Sequence, residues 1–203
     1  MKIHGVVPTL ALVVCTHTAF AFEGILTYTG SDAGYVAGTS GWSFTPLDNI
    51  SVTSLGCFNY VLSGQSPISV GLWASDGTLL ASDVVNSGSP LLNQTRYESV
   101  SPVNLNAGST YYVGAYSTDG VIILTAAEPT SGGVVNTSSH IQIGQAAYNA
   151  SGFAFPNTLT GSAGSALLTA NIQYIVPEPS SAMLLSVGGA SAALAWRKRR
   201  SKL

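Results

Sequence analysis

Few residues of this 203-residue chain could carry out catalytic chemistry. His140 is the only histidine beyond the first 20 residues, so a Ser-His-Asp triad or a histidine metal site would have to use it. The sequence contains no G-x-S-x-G, H-E-x-x-H, P-loop or EF-hand pattern. Asp76 stands in an Asp-Gly pair typical of a hairpin turn, which leaves few carboxylates for the acid pair of a glycoside hydrolase. We therefore predict no catalytic residue, no metal site and no cofactor. A secreted hydrolase is kept as an alternative, and calcium held by loop oxygens near Asp32 or Asp119 stays open.

Three aromatic residues could bind a carbohydrate by stacking. Trp73 alternates with the apolar series that begins at Ile68 and so points to the opposite face of its strand, whereas Tyr112 and Tyr116 share one face of a later strand. Flat rings with polar tips on an open sheet face can stack on sugars. The same rings could instead fill the core or cover a sheet edge. Trp73, Tyr112 and Tyr116 are our carbohydrate-stacking candidates, and exopolysaccharide is the partner that they would bind.

The last 28 residues contain three parts in a fixed order. Pro177, Glu178 and Pro179 form a stiff, extended tripeptide, because each proline fixes its own φ and disfavours a helical residue before it. An uncharged, mostly apolar run follows over Ser180–Trp196. As a helix it would span roughly 24 Å, which is short against a bilayer core of roughly 30 Å. Four basic residues come next and mark the cytoplasmic side of a membrane: Arg197, Lys198, Arg199 and Arg200.

This tail resembles the PEP-CTERM sorting signal of Gram-negative envelope proteins, which has the same three parts in the same order. The resemblance covers residues 176–203. It implies that an exosortase, an integral-membrane enzyme resembling a cysteine transpeptidase, recognises and processes the tail. It also implies a membrane-anchored precursor and a later place at the cell surface or in the extracellular matrix. An ordinary single-pass anchor with a chance Pro-Glu-Pro is one alternative, and a lipid-anchor (GPI) signal is another, although such tails normally end in apolar rather than basic residues.

The N-terminal residues have the pattern of a secretory signal peptide. Lys2 supplies a positive start, a mostly apolar run covers Ile3–Val14, and Ala19-Phe20-Ala21 is an A-x-A cleavage site. We expect cleavage between Ala21 and Phe22. The predicted organisation is a signal peptide at residues 1–21, a β-domain at 22–175 and a sorting signal with a transmembrane helix at 176–203.

The charge of the chain divides unequally between the domain and its ends. Arg96 is the only basic residue between Phe22 and Ile175, whereas eight acidic residues lie there, so this segment has a formal charge of −7. An acidic surface without a basic patch argues against nucleic acid as a partner. Cys57 is the only cysteine of the segment, so it has no intramolecular disulfide partner, and we predict that it is buried as a small hydrophobe.

The segment between the two ends is predicted to be all-β, because short β-branched and aromatic runs alternate with turn residues and no helical period is sustained. Residues Ser131–Gly164 are rich in Gly, Asn and Ser and are expected to form a long loop or a weak edge. About ten short strands at this spacing predict a single β-sandwich, jelly-roll-like in form. The predicted strands are Ile25–Thr29, Gly41–Thr45, Ile50–Tyr60, Ile68–Ser75, Thr78–Val85, Thr95–Val100, Thr110–Tyr116, Val121–Thr125, His140–Ile143 and Ala166–Ile175.

Three stretches of this segment carry a second, weaker resemblance. Gly41–Pro46, Val70–Leu80 and Leu105–Val113 resemble an uncharacterised β-sandwich domain of bacterial surface proteins. The matching residues are mostly core and turn residues. The resemblance therefore implies a fold rather than an activity.

Overall fold

A computed structural model describes residues 21–29, 31–36, 38–59, 67–117, 122–127, 134–164, 166–167 and 169–177 of the chain. The predicted signal peptide up to Phe20 and the tail from Glu178 onward lie outside the described residues. Asp119 lies outside them as well. No helix among the described residues is long and apolar enough to cross a membrane.

The described part of the chain is all-β, which confirms the predicted fold class. Every strand pair is antiparallel. The strands are β1 Phe22–Glu23, β2 Ile25–Thr29, β3 Ser31–Val36, β4 Thr39–Pro46, β5 Ile50–Phe58, β6 Ile68–Ala74, β7 Leu79–Val85, β8 Leu91–Leu92, β9 Thr95–Leu105, β10 Tyr111–Ser117, β11 Ile122–Ala127, β12 Val134–Thr137, β13 Ile141–Asn149, β14 Thr158–Thr160, β15 Ala166–Leu167 and β16 Ala170–Ile175.

Two larger sheets form a β-sandwich. The first has the strand order β1-β16-β5-β9-β8, and the second has the order β14-β13-β4-β10-β6-β7. Smaller sheets join β15, β11 and β3, and β12 with β2. Both larger sheets contribute to one buried core, which includes Leu55 and Ile172 of the first sheet and Phe44 and Val113 of the second. Trp42 links the sheets directly, because its indole N–H donates to the Ala170 carbonyl oxygen over 2.9 Å.

The apolar side chains of β6 that begin at Ile68 lie on one face of the strand, as their alternation predicts. Ile68, Val70 and Leu72 are fully buried in the core. Cys57 is also fully buried, in agreement with its predicted role as a small hydrophobe, and burial raises the pKa of its thiol. The thiol therefore stays protonated and unreactive at neutral pH.

The hairpin between β6 and β7 differs from the expected two-residue type I′ turn. Gly77 is the residue of this turn with a positive φ, at 87°, and Asp76 is not among the residues with one. The Ala74 N–H donates to the Thr78 carbonyl, and the register shifts by one residue beyond Leu72. The connection is thus a longer loop that ends in a left-handed glycine and a bulge, the form that three-residue hairpin loops usually take.

The stretch Ser131–Gly164 is more regular than its composition predicts. It contains β12 and β14, and the nine-residue strand β13 pairs with β4 at the heart of the second sheet. The local Gly and Ser content misled the prediction, because Ile141, Ile143 and Ala146 bury their side chains through long-range packing. Tertiary burial overrides weak local propensity in strands.

Candidate functional site

The first residue after the predicted signal-peptide cleavage and the last described residues before Glu178 lie at one end of the sandwich. β1 and β16 are antiparallel neighbours with Phe22 opposite Tyr174 and Glu23 opposite Gln173. The start of β1 and the end of β16 therefore lie side by side, although they are about 150 residues apart in the sequence. The loops that contain Leu47–Asn49, Asn106–Gly108 and Ser138–His140 lie at the same end and are hydrogen-bonded to their neighbours there. We call this surface the tether end.

Phe22, the first residue after the predicted signal-peptide cleavage, is built into the tether end. Its ring lies 5.0 Å from the His140 ring and 5.8 Å from the Tyr174 ring, measured between centroids. The Tyr174 hydroxyl is hydrogen-bonded to Ser138. Phe22 is half-buried as a result, and Ala21 before it is exposed. The folded domain thus begins at Phe22, and Ala21 lies exposed before it.

Glu23 fastens the short strand β1 to the sheet. Its side chain is buried, and the Tyr97 hydroxyl donates to one carboxylate oxygen over 2.7 Å. The Asn93 amide donates to the other oxygen. Burial, followed by the nearby Glu23 charge, raises the pKa of the Tyr97 phenol well above its usual value. The phenol therefore remains a proton donor to the carboxylate at every physiological pH.

The C-terminal strand passes into the predicted sorting motif with almost no linker. β16 ends at Ile175, opposite Ser51 of β5. Val176 is half-buried and packs against the core, whereas Pro177 is exposed. The motif residues Glu178 and Pro179 and the basic cluster of Arg197, Lys198, Arg199 and Arg200 lie outside the described residues. Accordingly, at most one residue separates the folded sandwich from Pro177.

His140, the only histidine of the predicted domain, also lies at the tether end. His140 Nδ1 is 2.8 Å from an Asp48 carboxylate oxygen, and the two side chains are 27% and 53% exposed. Exposed pairs of this kind contribute little to stability. The Ser138 hydroxyl bonds Tyr174 and accepts from the His140 backbone N–H over 3.4 Å. Ser138, two residues before His140, is thus bonded to groups other than the imidazole ring.

The three carbohydrate candidates lie on the outer face of the second sheet. Trp73 and Tyr112 are directly opposite each other on β6 and β10. Trp73 is only 3% exposed, and its indole covers Gly71, where a Cβ would come within 2.3 Å of the ring. Tyr112 and Tyr116 are half-buried. The structure therefore brings the three rings to one face, but it leaves Trp73 little exposed surface.

Two further aromatic residues, which the sequence analysis did not single out, lie on this face. The Phe153 ring is 5.4 Å from Trp73 and 6.5 Å from Tyr116, and Phe155 meets Tyr112 edge-on at 4.9 Å. Phe153 is 36% exposed. The signal that could have identified them is a pair of phenylalanines, separated by one alanine, within a stretch otherwise rich in Gly, Asn and Ser.

The loop that carries these phenylalanines is held to the sheet by hydrogen bonds. The Thr39 hydroxyl donates to the Gly152 carbonyl over 2.6 Å and accepts from the Ala154 N–H over 2.9 Å. The Asn149 amide donates to the Phe155 carbonyl over 2.8 Å. The aromatic face, which we define as Trp73, Tyr112, Tyr116, Phe153 and Phe155, is therefore a fixed surface.

A groove of about 450 Å³ adjoins the tether end. Leu47 stands at one side of it, and Val135, Ile141 and Ala163 are among its lining residues. Apart from Gln142 and Thr137, its lining side chains are apolar. The groove therefore presents apolar side chains together with polar groups. Among the described residues no group of three histidine, cysteine or acidic side chains could hold a metal ion.

Fold and tail together define an all-β domain with a C-terminal sorting signal. The PEP-CTERM protein-sorting motif matches residues 176–200. This match identifies the tail as a PEP-CTERM signal, so the chain is an exported protein of the Gram-negative envelope that an exosortase processes. The match does not extend into the β-domain, and no curated protein shows significant similarity to the chain. The resemblance of the domain to other bacterial surface domains stays a prediction.

Proposed function

We propose that this protein is a non-catalytic component of the cell surface or extracellular matrix, held first by a membrane-spanning tail and then released from it by an exosortase. The observation that carries the proposal is the matched signal at residues 176–200, which follows directly on a folded, acidic β-sandwich. In this proposal the sandwich is the domain that is exported, and the tail carries its sorting signal. The predicted absence of catalytic residues in the sandwich is part of the same proposal.

The test is the intact mass of the protein from its native host, in strains with and without a functional exosortase. We expect an N-terminus at Phe22 in both strains and a C-terminus trimmed near Pro179 only in the competent strain. Any added mass would identify the group to which the domain is joined. A chain that keeps Trp196 and the basic cluster in both strains would mean an ordinary membrane anchor, and the proposal would then be wrong.

Carbohydrate binding at the aromatic face is a second candidate function. It is supported by the partly exposed rings of Tyr112, Tyr116 and Phe153, which lie on one sheet face and are held there by the loop contacts. Aromatic ring pairs contribute about 0.5–1.5 kcal/mol, and we take about 1 kcal/mol for each ring–sugar contact by analogy. Binding through Tyr116 and Phe153 would place the ligand beside Trp73, whose fluorescence would report it.

If this second function is correct, replacing both Tyr116 and Phe153 by alanine should weaken binding of the host exopolysaccharide about thirtyfold, since two ring contacts are lost. Tryptophan fluorescence titration of the mature protein measures this affinity. Leu159→Ala, at a side chain 46% exposed on β14, is the matched control and should bind like the unaltered protein. Absence of any binding by the unaltered protein would refute this candidate.

A secreted hydrolase is the remaining alternative, and it would have to use His140. The pairing of Nδ1 with Asp48 leaves Nε2 as the ring nitrogen that would have to activate a nucleophile. A screen of ester and glycoside substrates in which turnover is lost on His140→Ala would favour this alternative over the non-catalytic proposal.

A further inference from the structure

The gap between the folded sandwich and the apolar run of the tail is short. Val176 is packed against the core, and the apolar run begins at Ser180. Three residue steps from Pro177 to Ser180 reach at most about 11 Å when fully extended. An enzyme in the membrane that grips Pro177–Pro179 must work within this distance. The inference that follows rests on the proposed processing of this motif.

The tether end is the part of the sandwich that faces this gap. Leu47 is 53% exposed there, beside the half-buried Phe22 and the Asp48–His140 pair. The groove of about 450 Å³ continues from Leu47 along β13. A protein surface brought to Pro177 would therefore meet the exposed Leu47, a groove with apolar and polar lining groups, and the Asp48 side chain.

The charges of the tether end favour a protein over a lipid surface as the contact. Asp48 and Asp76 are acidic side chains at this end, and His140 is paired with Asp48. Arg96, the only basic residue of the domain, lies at the opposite end, where it donates to Asn59 and to the Ser89 carbonyl. Anionic lipid attracts clusters of lysine and arginine and repels acidic surfaces. The described surface provides no such cluster.

We propose that the tether end is a docking surface for the exosortase itself, at which Leu47 and the adjoining groove bind an apolar element of the enzyme beside its active site. The sandwich would then help to recruit the enzyme, in addition to the sorting motif. Docking would hold the motif close to the active site and raise its effective concentration there. The short connection through Val176 would set the distance between the two contacts.

The test is the rate of C-terminal trimming in the exosortase-competent host, followed by pulse-chase and mass analysis of the full chain. Leu47→Asp should slow trimming about tenfold, because it places a charge in an apolar contact. Leu92→Asp is the matched control, since Leu92 is 45% exposed at the opposite end of the sandwich, and it should trim at the normal rate. Protease resistance of both exported variants checks that they are folded.

A second variant carries six Gly/Ser residues inserted between Val176 and Pro177. Docking predicts slower trimming of this variant, because the spacer separates the motif from the bound surface.

Two outcomes would refute docking and leave the proposed function standing. One is faster trimming of the spacer variant, which would show that the sandwich only obstructs the enzyme. The other is equal trimming rates for Leu47→Asp and Leu92→Asp. If the Leu47→Asp precursor detaches from the membrane in a strain without exosortase, the tether end binds lipid, and the docking proposal is wrong. No trimming of the unaltered chain would overturn both proposals.

Discussion

Replacing Pro177, Glu178 and Pro179 together by alanine is expected to abolish C-terminal trimming. The two prolines keep the backbone extended, and alanine has the highest helix propensity, so the change would let a helix over Ser180–Trp196 extend back towards Val176. A helical segment cannot present its peptide bonds to a protease in the extended form that cleavage requires. The change also removes the one acidic side chain between the apolar run and the sandwich.

Trimming of this variant is measured as the mass of the exported protein in the exosortase-competent host. The matched control uses the other Glu-Pro pair of the chain, Glu128-Pro129, replaced by two alanines. This pair has no apolar run and no basic cluster behind it, so its replacement should leave trimming intact. A triple-alanine variant that is still trimmed at the normal site would show that the enzyme reads the helix and basic cluster alone.

Trp42→Ala is expected to have the largest effect on stability. Trp42 is fully buried, and its ring packs against Phe44 with 5.2 Å between centroids. Truncating a buried tryptophan costs about 3–5 kcal/mol. The change also leaves the Ala170 carbonyl, which accepts from the indole N–H, without that partner at a cost of about 1–3 kcal/mol. The sum is comparable with the whole stability of an ordinary domain, about 5–15 kcal/mol.

Urea unfolding of the mature protein, followed by circular dichroism, measures this change in the free energy of unfolding. Trp42→Phe is the informative companion, since it retains an aromatic ring in the core but loses the hydrogen bond to Ala170. We expect it to cost about 2 kcal/mol, roughly a third to a half of the alanine variant. Equal losses for the two variants would mean that the hydrogen bond, and not the volume, dominates at this position.

Local alternation was sufficient to place β6, whereas the longer strands β9 and β13 extend well beyond the predicted Thr95–Val100 and His140–Ile143. The apolar series from Ile68 predicted a strand over Ile68–Ser75, and the observed strand is Ile68–Ala74. This works because a strand with one buried face repeats every two residues. The same signal does not exist for β1, which has only two residues and forms because Glu23 reaches Tyr97 and Asn93. Its partners could not be read from neighbouring residues.

The candidate sites were predicted to different degrees. Tyr112 and Tyr116 were placed correctly on one face by their spacing. Trp73 is only 3% exposed, and the ring of Phe153, about 80 residues further along the chain, packs against it. Spacing within a strand tells which face a ring occupies. It does not tell what covers that face.

The sequence alone determined the sorting signal, the acidic charge and the all-β class of this protein, because these depend on local chemistry. The signal consists of a tripeptide, an apolar run and a basic cluster, and the fold class follows from alternating side chains. Only the tertiary structure decided that Phe22 lies beside Tyr174, so that the start of β1 and the end of β16 share one end of the sandwich. It also decided that the Leu47 and His140 loops meet at that end. The physical reason is that antiparallel pairing across about 150 residues is stabilised by the whole core, and no local segment encodes it.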